Sequence, residues 1–237
     1  MSLDASQYIL NRKASKTALI DSRISQILSY VVDCYLLFKA DNITYSKTEK
    51  GKISQEDYFR NILVDEYLRK NKKLITTSTT DIRFTRESTE TYEDNLGVKH
   101  DDKIDVHITD VALQNFWGQN VDIYYAIECK RITTLSDTTK YVGDIKKFTE
   151  RKYISTRLPF EGQIAFVENS SLNNVNIVDD INRKLKKHPT IVTYNFLEDF
   201  KIHPIFNSSY LSKHSRNQTN ESFYINHLFF DYTNIIV

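Results

Sequence analysis

Apolar residues recur every three to four positions over residues 21–40. Ile24, Ile27, Leu28, Val31, Val32, Tyr35 and Leu36 would share one face of a helix there. Residues 41–52 are polar, contain Gly51 and read as a connection. A second helical stripe (Tyr58, Phe59, Ile62, Leu63, Tyr67, Leu68) predicts a helix over 54–71, with Ser54 as its N-cap and Asp57 three residues on. From residue 74 the period shortens to two. Residues 74–86 and 103–109 are predicted strands separated by an acidic loop containing Gly97, and Lys103-Ile-Asp-Val-His-Ile alternates strictly between polar and apolar. Residues 115–120, with Trp117 and Gly118, read as a turn. Residues 121–132 (VDIYYAIECKRI) form the strongest predicted strand. Helical spacing returns over 137–152, with Tyr141, Ile145 and Phe148 on one face. A short apolar strand follows at 162–168 (GQIAFVE), then a basic amphipathic helix at 175–187 ending before Pro189, and late strands at 190–197 and 222–233.

The order helix, strands, helix, strand, helix, strand predicts an α/β (α+β) fold with a central mixed β-sheet flanked by helices. There is no internal repeat and no convincing linker. The chain therefore reads as one compact unit in which residues 1–50 are an N-terminal helical appendage and residues 51–237 the main domain.

Composition narrows this picture only a little. At 237 residues, 40% hydrophobic and 27% charged, the chain can bury a real core as a globular protein. Five glycines and three prolines exclude collagen-like or linker-rich architecture. The net charge of +1 hides a polarised chain. Residues 87–105 are mostly acidic, whereas residues 130–157 and 183–187 are basic; solvated helix faces alone would also produce such segments. Cys34 and Cys129 lie far apart in apolar surroundings with no metal-ligand spacing, as expected of free buried thiols in a reducing compartment. The first residues lack the apolar core of a signal peptide. The longest apolar run, residues 27–38, is interrupted by Asp33 and falls short of the ~20 residues of a membrane span, so a cytoplasmic protein with no membrane contact is expected.

The chemistry-bearing positions lie on the two central strands. Strand alternation puts Ile123, Tyr125, Ile127 and Cys129 on one face and Tyr124, Ala126, Glu128 and Lys130 on the other. In the preceding strand Ile104, Val106 and Ile108 face the core, and Asp105 points away with Lys103 and His107. If these strands pair, Asp105 and Glu128 meet. Two adjacent carboxylates repel, and a hard divalent cation relieves that repulsion through oxygen ligands. Such a cation can hold a phosphate and acidify a bound water, while a neighbouring lysine orients or deprotonates the nucleophile and neutralises developing charge. An acid-x-Lys triplet alone arises by chance about once per hundred residues. The chain contains four others: Asp101-Asp-Lys103, Asp144-Ile-Lys146, Glu150-Arg-Lys152 and Asp199-Phe-Lys201. Glu128-Cys-Lys130 differs by its position at the end of an apolar strand, where an unpartnered charge is costly. A surface ion pair on a solvated sheet face is the plain alternative.

These residues resemble the PD-(D/E)xK, or restriction-endonuclease-like, nuclease superfamily. The resemblance covers residues 54–168: an acidic helix, a strand with Asp (KIDVHI), a strand with Glu-x-Lys (AIECKR), a helix, and the apolar strand GQIAFVE. It implies a core of helix, three antiparallel-type strands, helix and strand, and endonucleolytic hydrolysis of nucleic-acid phosphodiesters, DNA foremost, with Mg²⁺ or substituting Mn²⁺. Asp105 and Glu128 would be metal ligands and Lys130 the catalytic lysine. A glutamate on the first core helix would join them, either Glu56 or Glu66, with Glu56 favoured. Ile104 stands where the family's name has proline. Residues 210–232 also resemble the tail of some restriction-like proteins. The family implies a homodimer for double-strand cutting, and fold analogy points to a partner in restriction or anti-phage defence. A non-catalytic nucleic-acid-binding or assembly subunit on the same scaffold is the rival reading, motivated by the extra N-terminal helix and the lack of an obvious third acid.

Lys140, Lys146 and Lys147 follow the triplet and are candidates to track phosphates, with Arg151 and Lys152 beyond them. Tyr141 and Phe148 on that helix read as core. His107 shares the face of Asp105, but a strand histidine beside a polar loop is ordinarily a surface residue; His227 alternates within a strand and reads as packed or hydrogen-bonded. No histidine pair has zinc spacing, and neither a Gly-x-Ser-x-Gly elbow nor a phosphate-binding glycine loop occurs.

Overall fold

The computed structural model describes residues 5–46, 48–75, 82–94, 96–117, 123–153 and 158–235. Helix α1 (Ala5–Ala40) is followed by α2 (Gln55–Ile62), which continues as a π-helical turn, Leu63–Leu68, and a short 3₁₀ turn, Lys72–Leu74. Then come β1 (Ile82–Glu93), β2 (Lys99–Asp110), α3 (Val111–Trp117) and β3 (Tyr125–Ile132). A 3₁₀ turn, Leu135–Asp137, leads into α4 (Thr138–Glu150), β4 (Lys152–Tyr153) and β5 (Phe160–Val167). Helix α5 (Asn174–Lys187), β6 (Thr193–Asp199), β7 (Ser209–Ser215) and β8 (Ser222–Asp231) complete the chain.

The strands form one eight-stranded sheet in the order β4-β1-β2-β3-β5-β8-β7-β6. β1, β2 and β3 are antiparallel neighbours, β3, β5 and β8 are parallel, and β7 and β6 return antiparallel. A parallel step needs a crossover, and α4 supplies it between β3 and β5. The expected mixed sheet flanked by helices is thus observed.

Two cores sandwich the sheet. On one face Val106, Ile108, Tyr125, Ile127, Cys129, Ile164 and Phe166 pack with residues 20–38 of α1 and the stripe of α2. The second half of α1 is therefore buried in this core: Tyr35 stacks on Phe230 with ring centroids 4.1 Å apart. On the other face Ile132, Ala165 and Val167 pack against Tyr141, Ile145 and Phe148 of α4 and Ile177 and Ile181 of α5. Each large apolar side chain so buried contributes about 1.5–3 kcal/mol. Ile104 departs from the expected pattern, clustering with Tyr124 and Ala126 rather than with Val106 and Ile108. Both cysteines are free and buried; burial pushes the Cys34 thiol up to about 12 and the Cys129 thiol up as well, which leaves both inert near neutral pH.

Several boundaries move. Helix α1 begins sixteen positions before the apolar stripe that predicts it. The stretch read as an acidic loop is mostly strand: β1 and β2 pair in one register from Ile82↔Asp110 to Glu93↔Lys99, with the Glu87/Asp105 position left unpaired. Its turn is closed by Asp94, whose Oδ1 accepts the N–H groups of Leu96 and Val98 at 2.8 and 2.9 Å, with Gly97 at φ +76°. This ladder end is built mostly of polar residues, including the buried Glu90, so it carries no apolar alternation to read. Residues 111–117 are helix rather than turn, because Asp110 Oδ1 accepts the Leu113 N–H at 3.0 Å as a cap; residues 118–120 lie outside the described residues. Strand β7, sequence SYLSKHS, was not predicted. Its buried Ser212 and His214 are polar but satisfied within the core.

Candidate active site

The β2–β3 ladder pairs Ile108 with Tyr125, His107 with Ala126 and Val106 with Ile127, and ends there. One step further would set Asp105 against Glu128. Instead the Asp105 carboxylate enters the gap: Oδ2 accepts the backbone N–H of Cys129 at 2.8 Å, where a ladder carbonyl would otherwise sit. Oδ1 accepts from Nη1 of Arg60 at 2.7 Å. On the other side β3 pairs with β5, with Glu128 opposite Gln163.

Glu128 is 9% exposed. Burial raises its pKa well above the ordinary carboxylate range. The charges of Asp105 and Asp144 add to the rise, as does a hydrogen bond with Asp105, and Lys147 opposes it. Lys130, two residues on, points its Nζ at Glu56 Oε1, 2.9 Å away, and lies 3.3 Å from Asp144 Oδ2. That second contact is an ion pair without hydrogen-bond geometry, since Asp144 Oδ2 accepts no hydrogen bond. Burial works against the Lys130 ammonium, but the charges of Asp144 and Glu56 outweigh it and raise its pKa above the usual lysine value. Lys130 is therefore a fixed cation near neutral pH.

Helix α2 delivers the first-helix acid. Ser54 Oγ accepts the Asp57 N–H at 3.0 Å, which starts the helix so that Glu56 lies in its first turn, against the end of β3. Besides Lys130, Glu56 receives the backbone N–H of Arg131 on Oε2 at 2.9 Å. Glu66, the other candidate, pairs with Lys70 on the exposed side of the π-helical turn. The structure brings Glu56 to the site and leaves Glu66 away from it.

Three further groups stand at the site, and two of them, Asp144 and Arg60, escape sequence reasoning. Asp144 and Lys147 are on α4, with Lys147 Nζ 3.0 Å from Asp144 Oδ1. Asp144-Ile-Lys146 reads as a chance triplet, yet Asp144 lies three residues from Tyr141 on the helix's buried side and is 3% exposed. A carboxylate on an apolar stripe was the available signal. The third is Arg60, 2% exposed within the apolar stripe of α2. It spans Asp105, Asp57 at 2.9 Å and Glu87 at 2.7 Å. Glu87 is a non-glycine residue at φ +53° in the middle of β1, a conformation costing about 1–3 kcal/mol.

Of the lysines expected to track phosphates, Lys147 is drawn into the site, Lys146 pairs with Glu150 at 3.6 Å on the helix surface, and Lys140 is exposed. His107 packs against Tyr124, with ring centroids 4.4 Å apart and the planes tilted by 39°. His227 and His214 are buried and joined through Ser212 Oγ, 2.8 Å from the Nε2 of each. Tyr141 and Phe148 are core.

Asp105, Glu128, Glu56 and Asp144 lie with Arg60, Lys130 and Lys147, and Arg60 is shared with Asp57 and Glu87 as well, so carboxylates outnumber cations in the cluster. Burial and the neighbouring carboxylates favour the protonated form of Glu128, and a divalent cation bound there would relieve the same repulsion. Two adjacent carboxylates suit Mg²⁺, which takes few protein oxygens and keeps its other positions for water or phosphate. Among the described residues no three His, Cys, Asp or Glu side chains stand together as a metal cage. The expected ligands Asp105, Glu128 and Glu56 thus do not form such a group, and of them Asp105 and Glu128 are the adjacent pair. Compared with family models, curated proteins and solved structures, the chain matches none. Among the described residues no helix is long and apolar enough to cross a membrane.

Proposed function

We propose that the protein is a Mg²⁺-dependent endonuclease of restriction-endonuclease-like type that hydrolyses nucleic-acid phosphodiesters, with DNA as the expected substrate. The observation that carries this reading is the meeting of Asp105 and Glu128 where the β2–β3 ladder ends, with Lys130 and Glu56 beside them. The order α2, β1–β2–β3 antiparallel, α4, then β5 parallel to β3 agrees with the core that the family resemblance implies.

Asp105 and Glu128 would hold the cation, which when bound would polarise the scissile phosphate and acidify a water. Asp105 is fixed from two sides, by Arg60 and by the Cys129 N–H, which leaves lone pairs on both oxygens for a ligand. Lys130 stays protonated, so its role is to orient the attacking water and offset charge on the phosphorane rather than to remove a proton. Glu56 and Asp144 hold that ammonium in place. Lys147, half-exposed beside Asp144, would meet a phosphate entering from solvent.

The rival reading, a non-catalytic nucleic-acid-binding or assembly subunit, draws on one observation: the carboxylates are already largely neutralised by Arg60, Lys130 and Lys147. A cleavage assay on plasmid, linear and single-stranded DNA and on RNA, with Mg²⁺, Mn²⁺ or EDTA, decides between them. Metal-dependent cutting by the wild type that is lost in Glu128→Ala and Lys130→Ala supports the nuclease. Nucleic-acid binding without turnover in any metal supports the scaffold.

A further inference from the structure

Arg60 is an expensive residue to bury: its guanidinium is 2% exposed and cannot shed its charge. Its donors are distributed with purpose. Nη1 serves Asp105 and Asp57, and Nη2 serves Glu87 and the side chain of Asn61. Glu87 reaches Arg60 from a left-handed backbone, although β1 pairs with β2 in unbroken register on either side of it, with Arg86 opposite Val106 and Ser88 opposite Ile104. No Glu87–Asp105 pair joins the strands there, so this left-handed conformation sits at a local break in the ladder. It aims the carboxylate of Glu87, which also lies 3.4 Å from Lys103, at the guanidinium. Strain of this kind persists only where surrounding contacts hold it.

We infer that Arg60, anchored by the strained Glu87, is a positioning residue that fixes the plane of the Asp105 carboxylate for cation binding. This rests on the metal-site reading of Asp105 and Glu128. The planar fork of Arg60 bridges two carboxylates that one ammonium could not span in the same geometry. With Nη1 on Oδ1 and the Cys129 N–H on Oδ2, Asp105 cannot rotate, and its remaining lone pairs are held in fixed directions. Groups that orient a ligating carboxylate in this way characteristically set metal affinity by about 10–100-fold. The opposite role, a counter-charge that competes with the cation for Oδ1, predicts the opposite sign.

Mn²⁺ titration followed by the EPR signal of the free ion, on the full chain without nucleic acid, separates these roles. It should be run beside thermal melts for wild type, Asp105→Ala, Arg60→Gln, Arg60→Lys and Glu87→Gly. Arg60→Gln should weaken Mn²⁺ binding about 10–100-fold, and Arg60→Lys, which keeps the charge and is the safer variant for folding, should fall between it and the wild type. Glu87→Gly relieves the φ +53° backbone but takes a partner from the buried Arg60, so it should lose Mn²⁺ affinity out of proportion to its change in melting when read beside Arg60→Lys. A purely structural role would not split stability from affinity in that way. Binding unchanged or tightened in both Arg60 variants overturns the positioning role alone. Wild-type Mn²⁺ binding that is absent, or unaffected by Asp105→Ala, overturns the metal site itself and the positioning role with it.

Discussion

Nζ of Lys130 on β3 lies 2.9 Å from Oε1 of Glu56 on α2, a contact between residues 74 positions apart in the chain. With Asp144 from α4 it makes Lys130 the point where strand, first helix and crossover helix meet.

Lys130→Ala should therefore reduce metal-dependent cleavage by at least ~10²-fold, since it removes a fixed cation from the reacting phosphate. It should also lower stability by about 1–3 kcal/mol, discounted for the partial exposure of the pair, because Glu56 and Asp144 lose their counter-charge. The sign with pH follows from the raised pKa. The contribution is fully present below the ordinary lysine value and is lost as pH rises through the folded one. Urea unfolding at pH 8 measures the stability loss. Cleavage equal to wild type would remove Lys130 from the mechanism.

Glu128 has the contrary effect on stability. Its pKa is raised on folding, so the folded state holds a proton that the unfolded state releases, and stability falls as pH rises above the ordinary glutamate value. Without divalent cation, Glu128→Gln should melt about 2–6 °C above wild type at pH 8, and the gap should close near pH 4. Millimolar Mg²⁺ should raise the wild-type midpoint and leave the variant unmoved. A variant that melts lower than wild type at pH 8 would contradict the repulsion inferred here.

The buried histidines set a second pH dependence. Burial lowers His214 to about 3, and burial together with His214 lowers His227 well below the usual histidine range. As pH falls below ~6.5 the unfolded chain takes up these protons and the folded chain does not, so stability should drop by about 1.4 kcal/mol per pH unit per histidine. Between pH 6.5 and 5 the slope should be roughly halved in His214→Gln. An identical slope in both proteins would show that these side chains titrate normally.

Gly162 on β5 has no room for a side chain against β3. A Cβ there would lie 2.7 Å from Ile127 Cγ1 and 2.8 Å from the Tyr125 hydroxyl, both on the strand that carries Glu128. Gly162→Ala should cost about 1–3 kcal/mol through overpacking. It should also impair cleavage, because any relief shifts β3. Denaturant melts and activity would both be measured, and an unperturbed protein would mean that β3 and β5 separate more easily than their packing indicates.

Much of this architecture is written locally. The alternation through Lys103-Ile-Asp-Val-His-Ile and the apolar run ending in Glu128-Cys-Lys130 identify β2 and β3, because side-chain direction in a strand follows from sequence parity alone. The helical stripes of α2, α4 and α5 are legible for the same reason. Local pattern also sets Asp105 and Glu128 on neighbouring strands. Tertiary structure alone decided the rest. It chose Glu56 over Glu66, because only the first turn of α2 abuts the end of β3. It turned Asp144 from an apparent chance triplet into the partner of two lysines, and it buried Arg60 against Asp105. It also made a strand of the polar β7, whose buried Ser212 and His214 are satisfied by each other, by His227 of β8 and by Thr193 of β6. Periodicity fixes which way a side chain points, but which distant charge it meets depends on how helices and strands pack, and no local pattern carries that information.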